Sequence, residues 1–145
     1  MLDKTMIREW MTSPVLTIHA DSPISLAHTM MKENKVRRLA VVDEQSRLVG
    51  IITIGDVREA SPSDATTLSI WELNYLWAQL TVGKIMSHDV ISIQPDETVY
   101  DAAKLMLEQK VSGLPVIDKT GKLMGMITES DIFRMVIRLG VRETS

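Results

Sequence analysis

The chain has 145 residues, enough for one compact domain or two small ones, and its 45% hydrophobic content suffices for a core. A formal net charge of -3 with 24% charged residues excludes a basic surface for nucleic acid or anionic lipid. The absence of cysteine excludes disulfides, thiolate nucleophiles and cysteine-ligated zinc.

Met1 to Pro14 mixes Asp3, Lys4, Arg8 and Glu9 with apolar residues and has no apolar stretch of signal-peptide length. Pro14 to Ile18 is a short β-rich run. Ser22 and Pro23 supply a helix cap and a proline at the first helical position, and Ile24, Ala27 and Met31 mark the buried side of the helix that follows. Leu39 to Asp43 and Arg47 to Thr53 read as strands flanking a polar turn, and a second helix starts near Asp56, to be broken early by Ser61-Pro62-Ser63. Ser69-Ile70-Trp71-Glu72 has a capping-box pattern. It opens a connector helix with Leu73, Leu76, Trp77 and Leu80 on one face and Trp71 and Tyr75 elsewhere, either docked as core or shared with a subunit interface.

Beyond the connector, Asp96 is placed to cap a helix whose Val99, Ala102, Ala103 and Met106 form a buried stripe. Leu114 to Asp118 and Lys122 to Thr128 read as strands around Lys119-Thr120-Gly121, where glycine suits a positive φ. The last helix, Ser130 to Leu139, is apolar on two faces, Ile132, Met135, Val136 and Leu139 on one and Phe133 with Ile137 on the other. One small domain cannot cover both, which predicts a homodimer. No apolar run reaches the roughly 18 residues of a spanning helix, so the expectation is a cytoplasmic protein without membrane or nucleic-acid partners. His19, His28 and His88 are scattered and read as packing or surface residues rather than metal ligands, and the ten methionines read as core filler.

The second half repeats the first at an offset of 75 residues without a gap. Gly50-Ile51-Ile52-Thr53-Ile54-Gly55-Asp56 recurs as Gly125-Met126-Ile127-Thr128-Glu129-Ser130-Asp131, and Met11, Val15, Asp21, Ala27, Met31, Val41 and Leu48 recur at Met86, Val90, Asp96, Ala102, Met106, Val116 and Leu123. The expected organisation is repeat one over 1–60, a helical connector over 61–80 and repeat two over 81–145. Each repeat is a β-α-β-β-α unit of an α+β fold, too small to hide its surface alone. The two sheets are therefore expected to pack on each other about a pseudo-twofold axis, with a cleft between them.

The doubled Thr-x-x-Asp at a strand-to-helix junction has two readings. A threonine followed three residues later by an acid forms a capping box. A short carboxylate at a helix N-terminus also stays ionised and can accept two hydrogen bonds from the vicinal hydroxyls of a ribose. Asp56 and Asp131 are thus candidate ribose acceptors, with Thr53 and Thr128 beside them.

The repeat resembles the CBS domain, and the pair resembles a Bateman module, on Met11-Thr12 and Met86-Ser87, on Gly113-Leu114-Pro115-Val116 and on the doubled Gly-h-h-Thr-x-x-Asp element, where h is apolar. The resemblance implies two clefts for AMP, ADP or ATP, with S-adenosylmethionine less favoured, and no required cofactor. It maps the adenine onto Val15 and Ile18 or Val90 and Ile93, near Thr17 or Ser92. The first cleft would combine Thr128, Ser130 and Asp131 with Thr17, Arg37 and Arg38, with Arg134 as a further candidate. The second would combine Thr53 and Asp56 with Val90, Ser92, Ser112 and Gly113. Only the first has evident phosphate partners, since the arginine fork matches phosphate oxygens. Ala40 stands where the pattern has proline and is expected to loosen the strand entry. The chain also resembles the CBS part of acetoin-utilisation regulators. A non-catalytic, nucleotide-sensing module that presents a changed surface to a regulated protein follows, against a rival reading as a dimerisation adaptor with vestigial sites.

Overall fold

The computed structural model describes residues 4–60 and 70–140. Among these, the contacts gather into two compact units, one formed by residues up to Val15 together with those from Ile91 on, the other by Leu16–Val90. Both are α+β. The middle unit holds β1 (Thr17–His19), α1 (Ile24–Asn34), β2 (Arg38–Val42), β3 (Leu48–Thr53), α2 (Ile54–Ala60), α3 (Ile70–Gln79) and the short α4 (Val82–Ile85). The outer unit holds a 3-10 turn (Ile7–Glu9), α5 (Val99–Gln109), β4 (Gly113–Ile117), β5 (Leu123–Thr128) and α6 (Glu129–Leu139).

Alternation along the strands and the helical stripe together build each core. Ile18, Leu39, Val41 and Ile52 from the sheet meet Ile24, Ala27 and Met31 of α1 and Val57 of α2. Ile93, Leu114, Val116 and Ile127 meet Val99, Ala102 and Met106 of α5 and Met135 of α6 in the same way. In the middle unit β1 runs parallel to β2, which pairs antiparallel with β3. In the outer unit β4 and β5 pair antiparallel, and the equivalent of β1 is a single parallel bridge, Ile93 to Val116. Pro115 has no N-H to donate to that ladder, whereas Ala40 does. Alanine therefore leaves β2 intact: it spans five residues, as β4 does, and Ala40 is fully buried.

The units do not coincide with the two stretches of chain that carry the repeat. The segment preceding each repeat's first strand packs on the other repeat. Ser87 pairs with Ile51 through hydrogen bonds of 2.9 and 3.1 Å on the free edge of β3, and Thr12 pairs with Met126 through bonds of 2.8 and 3.0 Å on the free edge of β5. The same exchange satisfies the helix starts. Ile24 N-H donates to the Leu80 carbonyl at 3.0 Å and Val99 N-H to the Thr5 carbonyl at 2.8 Å. An edge strand and the first amides of a helix are places where backbone groups lack partners, and the exchanged segments serve both.

This revises the capping expected from the sequence. Pro23 itself is the N-cap of α1, and no side chain caps that helix, because the Leu80 carbonyl takes the first amide. Thr98, not the exposed Asp96, caps α5, in a reciprocal box with Asp101. The connector helix α3 is only partly core. Trp77 and Leu80 pack on the middle unit, with Trp77 edge-on to His28 at 5.7 Å, while Trp71, Tyr75 and Leu76 are exposed. The expected break at Ser61-Pro62-Ser63, the Ser69 cap and the Leu73 side chain lie outside the described residues.

Gly50 and Gly125 permit the close approach of the exchanged segments. A Cβ on Gly50 would collide with the Met86 sulfur and lie 2.9 Å from the Ser87 carbonyl oxygen, and one on Gly125 would lie 2.7 Å from the Thr12 oxygen and 2.9 Å from the Met11 sulfur. Either glycine changed to alanine should cost roughly 1–3 kcal/mol through overpacking, seen as a lower urea midpoint. Gly55→Ala, whose Cβ would come no nearer than 3.6 Å to Thr53 Oγ1 within α2, should instead be neutral or stabilising.

The β2–β3 and β4–β5 turns each close on an aspartate. Asp43 accepts from the amides of Gln45 and Arg47, both at 2.9 Å. Asp118 accepts from those of Thr120 and Lys122 at 2.8 and 3.0 Å and from the Thr120 hydroxyl at 2.6 Å. The Arg47 amide holds Asp43 below the ordinary carboxylate value, and the Thr120 hydroxyl does so for Asp118. The folded state therefore binds these protons less readily than the unfolded chain. This stabilisation is present above the ordinary aspartate value of 3.8 and fades as pH falls through the lower folded values. Urea midpoints of Asp43→Asn and Asp118→Asn should lose part of the difference that the parent chain shows between pH 6 and pH 3.

Candidate functional site

Both Thr-x-x-Asp elements fold as capping boxes at the N-termini of α2 and α6. Thr53 N-H donates to Asp56 Oδ2 at 2.8 Å, and Asp56 N-H returns to Thr53 Oγ1 at 3.1 Å. Thr128 N-H donates to Asp131 Oδ2 at 2.9 Å, and Asp131 N-H to Thr128 Oγ1 at 3.4 Å. The box at Thr98 and Asp101 has the same geometry where the sequence suggests no ligand. The box is thus helix chemistry in all three places, and any further role rests on the oxygens it leaves over.

Those oxygens differ. Asp131 is 4% exposed, and beyond the box its Oδ2 accepts from the Thr128 hydroxyl at 3.1 Å. Its Oδ1 accepts from Arg134 at 3.0 Å and from the Thr12 hydroxyl at 3.3 Å. Asp56 is half-buried, and among the described residues its Oδ1 accepts nothing. Thr12 corresponds to Ser87 and Arg134 to Glu59 at the offset of 75, so the first repeat has an acid where the second has the arginine.

The other candidates sort by strand register. Arg38 pairs across with Thr53, and the carbonyl of Arg37 accepts from Ile54 N-H at 2.9 Å, so both arginines adjoin the Thr53–Asp56 element. Thr17 lies on β1 opposite Ala40, two residues along β2 from Arg38. Arg37 is exposed and Arg38 half-buried. In the outer unit Gly113 pairs with Thr128, and the carbonyl of Ser112 accepts from Glu129 N-H at 3.0 Å, so Ser112 and Gly113 adjoin the Thr128–Asp131 element. Within a unit, then, the basic pair belongs beside Asp56, whereas the sequence reading combined it with Asp131.

Val15, Val90 and Ser92 are half-buried, and Ser130 is exposed in the first turn of α6. Ile18, expected to line an adenine, is 3% exposed within the middle core, because the strand alternation that presents Thr17 and His19 on one side turns Ile18 inward. Thr12 is the residue that the sequence reading did not single out as a partner of Asp131. The only available hint was its match to Ser87, a second hydroxyl at the same place in the repeat. Among the described residues no group of three or more His, Asp or Glu side chains could hold a metal ion, and no helix is long and apolar enough to cross a membrane.

Asp131→Ala would leave the Thr128 amide without its acceptor and remove the bonds from the exposed Thr12 and Arg134 donors, which turn to water instead, and should cost about 2 kcal/mol. Asp56→Ala removes only the box and should cost about 1 kcal/mol. Chemical denaturation of the two variants checks the difference.

The profile of the CBS domain matches residues 7–63 and 82–138. A CBS domain-containing protein of Dictyostelium discoideum is 34% identical over 94% of both chains. The homoserine O-acetyltransferase of Methanococcoides burtonii is 33% identical over 93% of this chain, which spans about a quarter of that protein's length (25%). The CBS domain pair of protein MJ0100, solved with 5'-methylthioadenosine and S-adenosyl-L-methionine, superposes with TM-score 0.74 at 29% identity over 93% of this chain and 98% of that one. CBSX2 in complex with AMP superposes with TM-score 0.79 at 26% identity over 94% and 98%. AcuB from Vibrio cholerae, whose name refers to acetoin utilisation, superposes with TM-score 0.77 at 26% identity over 97% and 96%.

Proposed function

Because the chain belongs to the CBS domain family and carries two such domains in tandem, we propose that it is a non-catalytic regulatory module that binds an adenine nucleotide and reports it to a protein partner. The observation that carries this reading is the Thr53–Asp56 element, a carboxylate fixed by its box whose Oδ1 takes no bond among the described residues and can accept from ribose hydroxyls, beside Arg37 and Arg38 in the same unit. The structures holding AMP or S-adenosyl-L-methionine with methylthioadenosine support adenosine as the shared part of the ligand. The arginine pair favours a phosphorylated ligand, AMP, ADP or ATP, over S-adenosylmethionine, which carries no phosphate. Binding alters the partner-facing surface only as far as the nucleotide prefers one conformation over another.

A thermal-shift series with AMP, ADP, ATP, NAD and S-adenosylmethionine tests the proposal. A nucleotide at 100 times its dissociation constant stabilises by about 2.7 kcal/mol. Replacing both Arg37 and Arg38 with glutamine should abolish the preference for phosphorylated ligands. No shift with any of them favours the adaptor reading, in which the boxes serve only as caps.

We also propose a homodimer through α6. Met135 is buried, and Ile132 and Leu139 pack on the outer core. Phe133, Val136 and Ile137 are 61%, 48% and 77% exposed, so Val136 joins the outward face rather than the inner stripe. Ile137→Glu should convert a dimer to a monomer in sedimentation velocity, whereas an unchanged mass would remove α6 from the interface.

A further inference from the structure

We infer that Arg134 is a built-in occupant of the Asp131 carboxylate and thereby limits the chain to one nucleotide, taken at the Thr53–Asp56 element. The inference rests on the nucleotide-binding reading above and adds to it the residue that sets the stoichiometry.

A carboxylate offers about four lone-pair positions. At Asp131 four donors already occupy them, the Thr128 amide and hydroxyl on Oδ2 and the Arg134 guanidinium and Thr12 hydroxyl on Oδ1. Two ribose hydroxyls would have to displace the Oδ1 pair. Exchanging a cation for neutral donors at a buried anion is unfavourable, because it gives up the attraction between opposite charges that the 3.0 Å ion pair supplies. Arg134 is well placed for this. It lies one turn after Asp131 on α6, and its side chain is 63% exposed against 5% for its partner, so the helix delivers the guanidinium while its outer part remains in water.

The first repeat lacks this arrangement for a reason visible in its sequence. Glu59 occupies the place of Arg134 and cannot donate to Asp56, and no bond joins Ser87 to Asp56 as Thr12 is joined to Asp131. One box is therefore closed by its own chain, and among the described residues its twin keeps Oδ1 open.

Isothermal titration of the full chain with AMP reads the stoichiometry. The parent should bind one AMP per chain, and Asp56→Asn should weaken that event by about tenfold or more. Arg134→Ala, at an exposed position, should add a second AMP per chain, and Arg134→Lys, which keeps the cation, should return the count to one. A melting curve for each variant establishes that it is folded. Two equal sites in the parent, a parent event lost in Asp131→Asn but kept in Asp56→Asn, or a count of one in folded Arg134→Ala would each overturn the inference while leaving nucleotide binding in place. An absence of binding with AMP, ADP and ATP in the parent and in every variant overturns the nucleotide-binding reading itself, and the inference with it.

Discussion

Each sheet in this protein has one edge that its own repeat does not cover, and the backbone pairing that covers it comes from the segment ahead of the other repeat. Ser87 on Ile51 and Thr12 on Met126 are short contacts of two hydrogen bonds each. They close the open edges of β3 and β5, where unpaired amides and carbonyls would otherwise invite other strands. The same segments take the first amides of α1 and α5 through Leu80 and Thr5, and they insert Val82 and Ile7 into the two cores. Sheet edge, helix start and core filling thus depend on one exchange made twice.

The candidate chemistry depends on the same exchange. Thr12 reaches Asp131 because its segment runs along β5, and Asp131 lies in the first turn of α6, which follows that strand directly. Ser87 runs along β3 in the same way, yet no bond from it to Asp56 accompanies the shared backbone geometry. A nearly symmetric framework therefore carries unequal carboxylates, and the inequality comes from side chains at Thr12 and Arg134 rather than from the backbone.

The expected α+β fold and CBS pair agree with what the structure and the relatives show, since hydrophobic alternation, turn residues and the repeat are local signals. Gly121 takes the positive φ expected of it, at 89°, and Ser46 takes the same conformation at the matching place with φ 64°. The caps of α1 and α5 were less legible. Pro23 and Asp96 sit where local rules would put a first helical proline and a cap, but the Leu80 carbonyl and the Thr98 hydroxyl hold the helix starts. The hidden part of the connector was legible only in part as well, because one helical face cannot tell Trp77, which finds a core, from Leu76, which does not.

Residue order by itself determined the repeat, its β-α-β-β-α plan and the position of the two Thr-x-x-Asp boxes, because those features depend on neighbours a few residues apart. Only the tertiary structure decided which segment completes which unit and which carboxylate has its oxygens filled. The bond from Thr12 to Asp131 spans 119 residues of sequence, and the saturation of a lone pair is set by whatever group arrives within about 3 Å of it, which no local spacing records.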